Sequence, residues 1–399
     1  MRRIAIIGGG PGGAHCASRL AEAGRDVTLF EPRTRFEKPC GGGLPARSLD
    51  SFPFLDDARL PARTLRTCQV IAPSGAAATI PLREPLRVFR RADLHQFLLG
   101  RATAAGARLV RERVVAFGPA GGGSAPPWTI TSIDAGGRRA AHAPFDFLIA
   151  ADGAGGFSRR RLAGGIPAAE LTQAVGYYLP EPTEQTAVLK FCAEVPGYLW
   201  VFPRVDHDAA GICGPLGAMP VAALRTILDR FLAERYGPGC LARATAYAAL
   251  IPGAPVNPQG LRLQGEGWAL VGDTSRSVDP LTREGIHYAM ESGELLAGAL
   301  IAGAPETYST LWRRNMGREF SWAGRHAAEF FAPRTIERLV ALCARSPRTA
   351  GILSDLVSGR QRYRTLALRL LANGPVIAWQ AIRPAPRPDG QLRSWQLKH

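Results

Sequence analysis

Three glycines near the amino terminus restrict this chain more than any other feature. Arg2 to Ile7 is a short, mostly apolar run of strand length, and it leads directly into Gly8-Gly9-Gly10-Pro11-Gly12-Gly13. The strand therefore ends in a turn almost free of side chains. Ala14 to Ala23 reads as a helix closed by Gly24, and Asp26 to Phe30 as a second strand ending at Glu31. The predicted unit is βαβ, with Gly8, Gly10 and Gly13 spaced G-x-G-x-x-G. At that spacing one glycine permits a tight turn, one lets a diphosphate approach the backbone, and one lets helix and strand pack closely. The helix start offers free N–H groups and the positive end of its dipole to an anion. Glu31, 18 residues beyond Gly13, stands where a carboxylate accepts hydrogen bonds from both hydroxyls of an adenosine ribose. A 2′-phosphate would be repelled there, which leaves FAD or NAD as the expected ligand.

A chain of 399 residues is long enough to bury a large core in two connected lobes. No apolar run approaches the roughly 20 residues that span a bilayer, and the amino-terminal run is better used as a strand than as a secretory signal. A cytoplasmic protein is expected, with a surface suited to touching a membrane. Seven scattered cysteines, without a C-x-x-C pair or metal-ligand spacing, read as reduced thiols and predict no metal. The formal charge of +16 comes almost wholly from arginine, since the lysines are only Lys38, Lys190 and Lys398. Such a field favours acidic partners or anionic lipid. Nucleic acid is not expected, because no nucleic-acid-binding motif accompanies the charge.

Further along, Leu86 to Arg101 places Leu94, Phe97 and Leu98 on one helical face, with Arg91 at the helix start in reach of a cofactor phosphate or ribose and Arg90 as its neighbouring alternative. Ala107 to Ala143 reads as a β-meander around the loop Gly118 to Pro127. Phe145 to Ala151 is a buried strand ending in Asp152-Gly153, at the edge where open α/β sheets bind ligands. In Tyr198-Leu199-Trp200-Val201-Phe202-Pro203 the alternation sends Tyr198, Trp200 and Phe202 to one face. By composition alone those rings serve a sheet core as readily as a cavity wall. A later strand ends in Gly272-Asp273, where the carboxylate suits a ribityl chain. Gly285, followed by Ile286, opens a helix whose N–H groups suit the pyrimidine edge of a flavin and would stabilise its reduced, negative form. Phe331 to His399 carries eleven arginines and Lys398 against three acids, among leucine-rich helical stretches. A basic amphipathic face of this kind rests on an anionic membrane or an acidic protein, or is simply solvated.

Several of these stretches resemble one family. Lys38 to Leu44, spelled K-P-C-G-G-G-L, Tyr198 to Pro203, spelled Y-x-W-x-F-P, and Glu284 to Gly293 are similar to the geranylgeranyl reductase family of flavoproteins, which shares the fold of the para-hydroxybenzoate hydroxylase class. The resemblance implies that Cys40 lies beside the flavin ring, that the aromatic strand faces isoprenoid and flavin, and that Arg91 contacts FAD. It also covers the Asp152-Gly153 motif, although Ser158 and the arginines after it come two residues later than in the compact spelling.

The expectation is an α/β protein: a Rossmann-type FAD-binding domain (1–170 and 264–330), an inserted β-rich substrate domain (171–263) and a basic helical carboxyl-terminal region (331–399). The glycine fingerprint with Glu31, Asp152-Gly153 and Gly272-Asp273 specify FAD better than NAD. No second fingerprint provides a nicotinamide domain, so the reductant is expected to be transiently docked NAD(P)H or a protein electron donor. The expected function is an FAD-dependent oxidoreductase acting on a bulky apolar or aromatic substrate, reducing C=C bonds of a geranylgeranyl-type isoprenoid with Cys40, Tyr198, Trp200 and Phe202 around the reacting carbon. The rival is a monooxygenase of the same fold that hydroxylates an aromatic ring, which could be a tryptophan of a peptide or protein. A non-catalytic electron carrier would have no use for an aromatic-walled cavity.

Overall fold

The first strand, Arg3–Ile7, is buried on both faces, and its alternation decides what covers each. Ile4 and Ile6 pack with Ala14, Leu20, Leu94 and Leu98 of two helices, whereas Ala5 and Ile7 pack with Phe117, Trp128 and Ile130 of a small sheet behind. The computed structural model describes residues 3–121, 126–253 and 258–382 of the chain. Arg3–Ile7 lies inside a six-stranded sheet, in the order Gln264–Gly265, Trp268–Leu270, Phe147–Ala150, Arg3–Ile7, Asp26–Phe30, Arg108–Val110. Every pair is parallel except the first. Gly8, Glu31, Asp152 and Gly272 therefore follow four neighbouring strands at their carboxyl edge, the edge on which such sheets bind ligands.

Close backbone contacts make the glycines necessary. Gly8 turns away from its strand at φ +105°, and a methyl group on it would meet the Ala151 carbonyl at 2.4 Å. Helix Pro11–Glu22 begins with proline and ends at Gly24, whose N–H donates to the Ala21 carbonyl while that of Arg25 donates to Leu20. It crosses helix Ile286–Ile301 so closely that a Cβ on Gly293 would lie 2.5 Å from the Gly12 carbonyl.

The expected meander is present as the antiparallel strands Arg113–Pro119, Trp128–Ile133 and Arg139–Phe145. Within its loop, residues 122–125 lie outside the described residues.

The second lobe is an eight-stranded sheet, ordered Thr245–Pro252, Leu171–Pro180, His207–Pro215, Tyr198–Pro203, Ala187–Phe191, Ala62–Ile71, Ala77–Phe89, Gly43–Leu44. Here the expected boundary needs correcting. Three of these strands come from residues 43–89, which the sequence reading gave to the first lobe, and the halves join through a parallel pairing of Ala187–Phe191 with Ala62–Ile71. That register links residues more than a hundred positions apart, a contact no local pattern announces.

Helix Val221–Tyr236 covers one face of this sheet with Leu224, Leu228, Phe231 and Leu232 against Leu199, Val201 and Ile212. Helices Arg318–Phe330, Pro333–Arg345 and Pro347–Val357 cover the other, burying Ile336, Val340, Cys343 and Ala350 against Leu65, Ile80 and Val88. The carboxyl-terminal region is thus not a basic appendage over this stretch. The apolar stripes of helices Pro333–Arg345 and Pro347–Val357 form one wall of the second lobe, with Arg338, Arg345 and Arg348 on their outer sides. Residues 383–399 lie outside the described residues.

Candidate active site

The cofactor edge is built from backbone. Gly10 precedes helix Pro11–Glu22 in extended conformation, with no side chain capping the helix, and a Cβ on Gly10 would meet nothing within 4 Å. Gly13 differs: its Cβ would sit 2.0 Å from the Gly8 carbonyl oxygen. Open space before uncapped amides, with tight packing behind them, is the cradle a diphosphate needs. Glu31 is buried at the end of the second strand. Its Oε2 accepts the Gly9 N–H at 2.8 Å and its Oε1 the Arg33 N–H at 3.0 Å, so the carboxylate is fixed beside the glycine turn.

Of the two arginines left open by the sequence, Arg90 is held by ion pairs to Asp93 at 3.0 Å and Asp206 at 2.5 Å. Arg91 instead is buried and lines the main cavity, and its Nε, like that of Arg90, has no hydrogen-bond partner among the described residues. A buried guanidinium that lines a cavity and keeps a nitrogen without a partner is what an anionic cofactor would satisfy. The helix it opens is capped from outside, since the Glu37 carboxylate accepts the N–H groups of Arg91 at 3.0 Å and Ala92 at 2.9 Å.

Asp152 has a different place from the one its motif suggested. Its Oδ2 accepts the Ser158 N–H at 3.0 Å at the start of helix Phe157–Ala163, its Oδ1 has no partner among the described residues, and burial raises its pKa. The link to the cofactor edge runs through Gly153, whose N–H donates to the Thr274 hydroxyl at 3.0 Å, just past Gly272-Asp273.

Asp273 lines the main cavity and pairs with Lys38 at 2.8 Å. That pair joins the end of a core strand to the cysteine loop 235 positions earlier. Gly285 and Ile286 open helix Ile286–Ile301, also without a side-chain cap, and both border the same cavity. Thus the cavity touches two helix starts, at Pro11 and Gly285, and neither helix carries a side-chain cap. The residues present fit FAD: a diphosphate cradle, a ribose-binding acid, a carboxylate for the ribityl chain and open amides for the ring. Cys16 and Gly12 close off the space behind the glycine turn by packing on Gly293.

Cys40, Tyr198, Trp200 and Phe202 all border this cavity. The alternation along Tyr198–Pro203 places the three rings on the cavity face while Leu199 and Val201 enter the core behind. Phe202 and Trp200 lie against Gly41, where an added Cβ would be 2.6 Å from the Phe202 ring. The glycines after Cys40 thus let the aromatic wall close onto the cysteine loop. Tyr198 is anchored by donating its hydroxyl to the Thr282 carbonyl.

Arg204, next after the aromatic strand, is a residue of this site that the sequence reading passed over. It is fully buried, donates to the Cys40 carbonyl at 2.5 Å, and pairs with Glu37, the same acid that caps the Arg91 helix. Burial by itself would push the Cys40 thiol up. The nearby guanidinium groups of Arg91 and Arg204, with the Gly42 N–H 3.3 Å from Sγ, outweigh it and hold the thiol below its ordinary value of 9.0. Burial raises the thiols of Cys16, Cys68, Cys192, Cys213, Cys240 and Cys343.

The far end of the cavity is apolar and comes from the carboxyl-terminal helices: Leu339, Leu353, Leu356 and Val357 face Leu189 and Phe191. Tyr363 closes it, donating from its hydroxyl at 3.0 Å to the buried Asp279 carboxylate, which also accepts the N–H groups of Leu281 and Thr282. This pins the loop before Gly285. Among the described residues no cluster of side chains suits a metal ion.

Comparison with known proteins agrees with this geometry. A model of the NAD(P)-binding Rossmann-like domain matches residues 6–46. The chain is 30% identical over 309 residues to a digeranylgeranylglycerophospholipid reductase of Methanoculleus marisnigri, covering 74% of this chain and 75% of that one. It is 29% identical over 329 residues to the chloroplastic geranylgeranyl diphosphate reductase of Oryza sativa, covering 76% and 67%. The structure superposes on that of a geranylgeranyl bacteriochlorophyll reductase-like protein from Thermoplasma acidophilum with a TM-score of 0.75 at 21% identity, over 93% of this chain and 99% of the other.

Proposed function

Starting from the fact that this chain belongs to the geranylgeranyl reductase family, we propose that it saturates C=C bonds of a geranylgeranyl-type isoprenoid. The observation that carries the reading is the union, in one cavity, of a cysteine with a lowered thiol pKa, an aromatic wall and a long apolar lining, directly beside the amides of Gly285 and Ile286. FAD, when bound and reduced, supplies hydride from N5.

The chain does the rest. The turn of Gly8, Gly10 and Gly13 receives the diphosphate, Glu31 the adenosine ribose, and Asp273 with Lys38 the ribityl chain. Arg91 reaches the cofactor from the side of its own helix. The Gly285 and Ile286 amides, at the positive end of their helix, favour the negative charge of the reduced ring. Tyr198, Trp200 and Phe202 hold the alkene flat against the ring and exclude water, while Leu353, Leu356 and Val357 take up the remaining isoprene units. Cys40 Sγ gives the proton that accompanies hydride, so that one hydride and one proton saturate one double bond. A thiol of lowered pKa is a stronger acid for that step than an ordinary cysteine. The reductant, NAD(P)H or a protein donor, docks transiently.

The hydroxylation alternative draws on a fold that both chemistries share, and the fold alone does not select between them. The test is anaerobic stopped-flow reoxidation. The reduced protein should be reoxidised by a geranylgeranyl compound without oxygen, giving a product heavier by two hydrogens per turnover. Reduced protein that ignores the isoprenoid, and with O₂ yields a hydroxylated aromatic product, would overturn the reading.

A further inference from the structure

The last two described helices, Tyr363–Ala372 and Gly374–Ile382, present their apolar side chains to solvent. Leu368 is 67% exposed, Leu371 75% and Ile382 85%, and six of the ten large apolar side chains most exposed among the described residues fall between 368 and 382. Helix Gly374–Ile382 has no buried residue and no charged one. On a chain with 21% charged residues, so concentrated a patch marks an interaction surface, not scattered surface leucines.

Its surroundings point to the partner. Arg345, Arg348, Arg362 and Arg364 are exposed around the patch and have no acid within ion-pair distance among the described residues. The nearby acids are engaged: Asp355 binds Arg83 and Arg369, and Glu337 binds the Ser74 N–H and hydroxyl. An apolar face rimmed by unneutralised arginine complements an anionic lipid surface, with side chains entering the acyl boundary and guanidinium groups on the phosphates. No helix of the described residues is long and apolar enough to cross a membrane, so the contact is one of helices lying along the surface.

The exposed helices also begin at the cavity wall. Tyr363, the first residue of the exposed pair of helices, lines the cavity, as do Leu356 and Val357 just before it.

We propose that helices Tyr363–Ala372 and Gly374–Ile382, framed by Arg345, Arg348, Arg362 and Arg364, seat this protein on the surface of an anionic phospholipid bilayer. That this face brings the cavity to membrane-dissolved prenyl chains rests on the function proposed above; the seating itself does not. The experiment is co-sedimentation of the full chain with phosphatidylglycerol–phosphatidylcholine vesicles and with phosphatidylcholine alone, at low and high salt. Binding should be confined to the anionic vesicles and weaken with salt. The double variant Leu371→Glu, Ile382→Glu should lose about tenfold or more of it. Arg345→Gln with Arg348→Gln should lose about tenfold while retaining the native melting temperature and flavin content. Anionic vesicles left unbound by the wild type would overturn the proposal. So would variants that bind like the wild type, or a wild-type dimer in gel filtration that the double glutamate variant converts to monomer. Vesicle binding by a protein that fails to reduce any prenyl compound would refute the function and leave the seating intact.

Discussion

At the scale of single residues, Cys40 differs from the other cysteines through two arginines that no short motif links to it. Arg204 arrives from the end of the aromatic strand and Arg91 from the start of a helix, and Glu37 ties both to the cysteine loop. The lowered thiol pKa means that thiolate persists below the ordinary 9.0. Iodoacetamide should therefore modify Cys40 with a pH midpoint below that of a free thiol, followed by peptide mass mapping. In Arg204→Gln the midpoint should rise, because burial of the thiol then acts against one guanidinium fewer. The variant also leaves Glu37 without its buried partner and should cost about 3 kcal/mol of stability. An unchanged alkylation profile in a folded Arg204→Gln protein would show that Arg204 only supports the loop. Cys40→Ala should lower turnover by about a hundredfold or more if Sγ gives the proton.

At the scale of elements, the crossing of helices Pro11–Glu22 and Ile286–Ile301 joins the diphosphate end of the site to the ring end. Glycines let the axes approach, and one polar cluster spans them: Glu294 binds His15 at 2.8 Å and Arg19 at 2.9 Å. The hydrogen bond from His15, then that from Arg19, holds the Glu294 carboxyl down at about 2 against an ordinary 4.5. A folded pKa below the unfolded one contributes stability that is complete above about 4.5 and drains as pH falls towards 2. Glu294→Gln should accordingly melt below the wild type at neutral pH, by less than about 1 kcal/mol since the side chain is partly solvated. The two melting curves should converge between pH 4.5 and 2. A gap that persists at pH 2 would assign the effect to packing instead of charge.

For the whole molecule, the cofactor edge gathers residues from four strand ends and both long helices, so FAD should act as a bolt across the first lobe. Saturating FAD at a hundred times its Kd should stabilise the fold by about 2.7 kcal/mol. Gly10 and Gly13 separate this from the fold itself. Gly10→Ala adds a methyl where nothing lies within 4 Å, so the protein should melt as the wild type does without FAD yet show little FAD-induced shift. Gly13→Ala puts a methyl 2.0 Å from the Gly8 carbonyl and should lower the melting temperature even without cofactor. Differential scanning fluorimetry with and without FAD reads both. A full FAD shift in Gly10→Ala would remove the diphosphate from this turn.

The sequence by itself determined the parts whose physics is local. Arg3 to Glu31 is one strand–turn–helix–strand unit, each step fixed by neighbours within a few positions, and the rings at 198, 200 and 202 share a face because a strand has period two. Only the tertiary structure decided the rest. The second lobe recruits residues 43–89 because parallel pairing with Ala187–Phe191 leaves no trace in either strand alone. Asp152 holds the start of a helix through the Ser158 N–H, a contact that its strand-end motif did not announce. Arg204 acts on Cys40, and Tyr363 closes a cavity begun at Pro11, because burial brings together groups that are 164 and more than 300 positions apart. The carboxyl-terminal arginines suggested a basic face, but which helices bury leucine against the sheet and which expose it was set by the space the sheet had left uncovered.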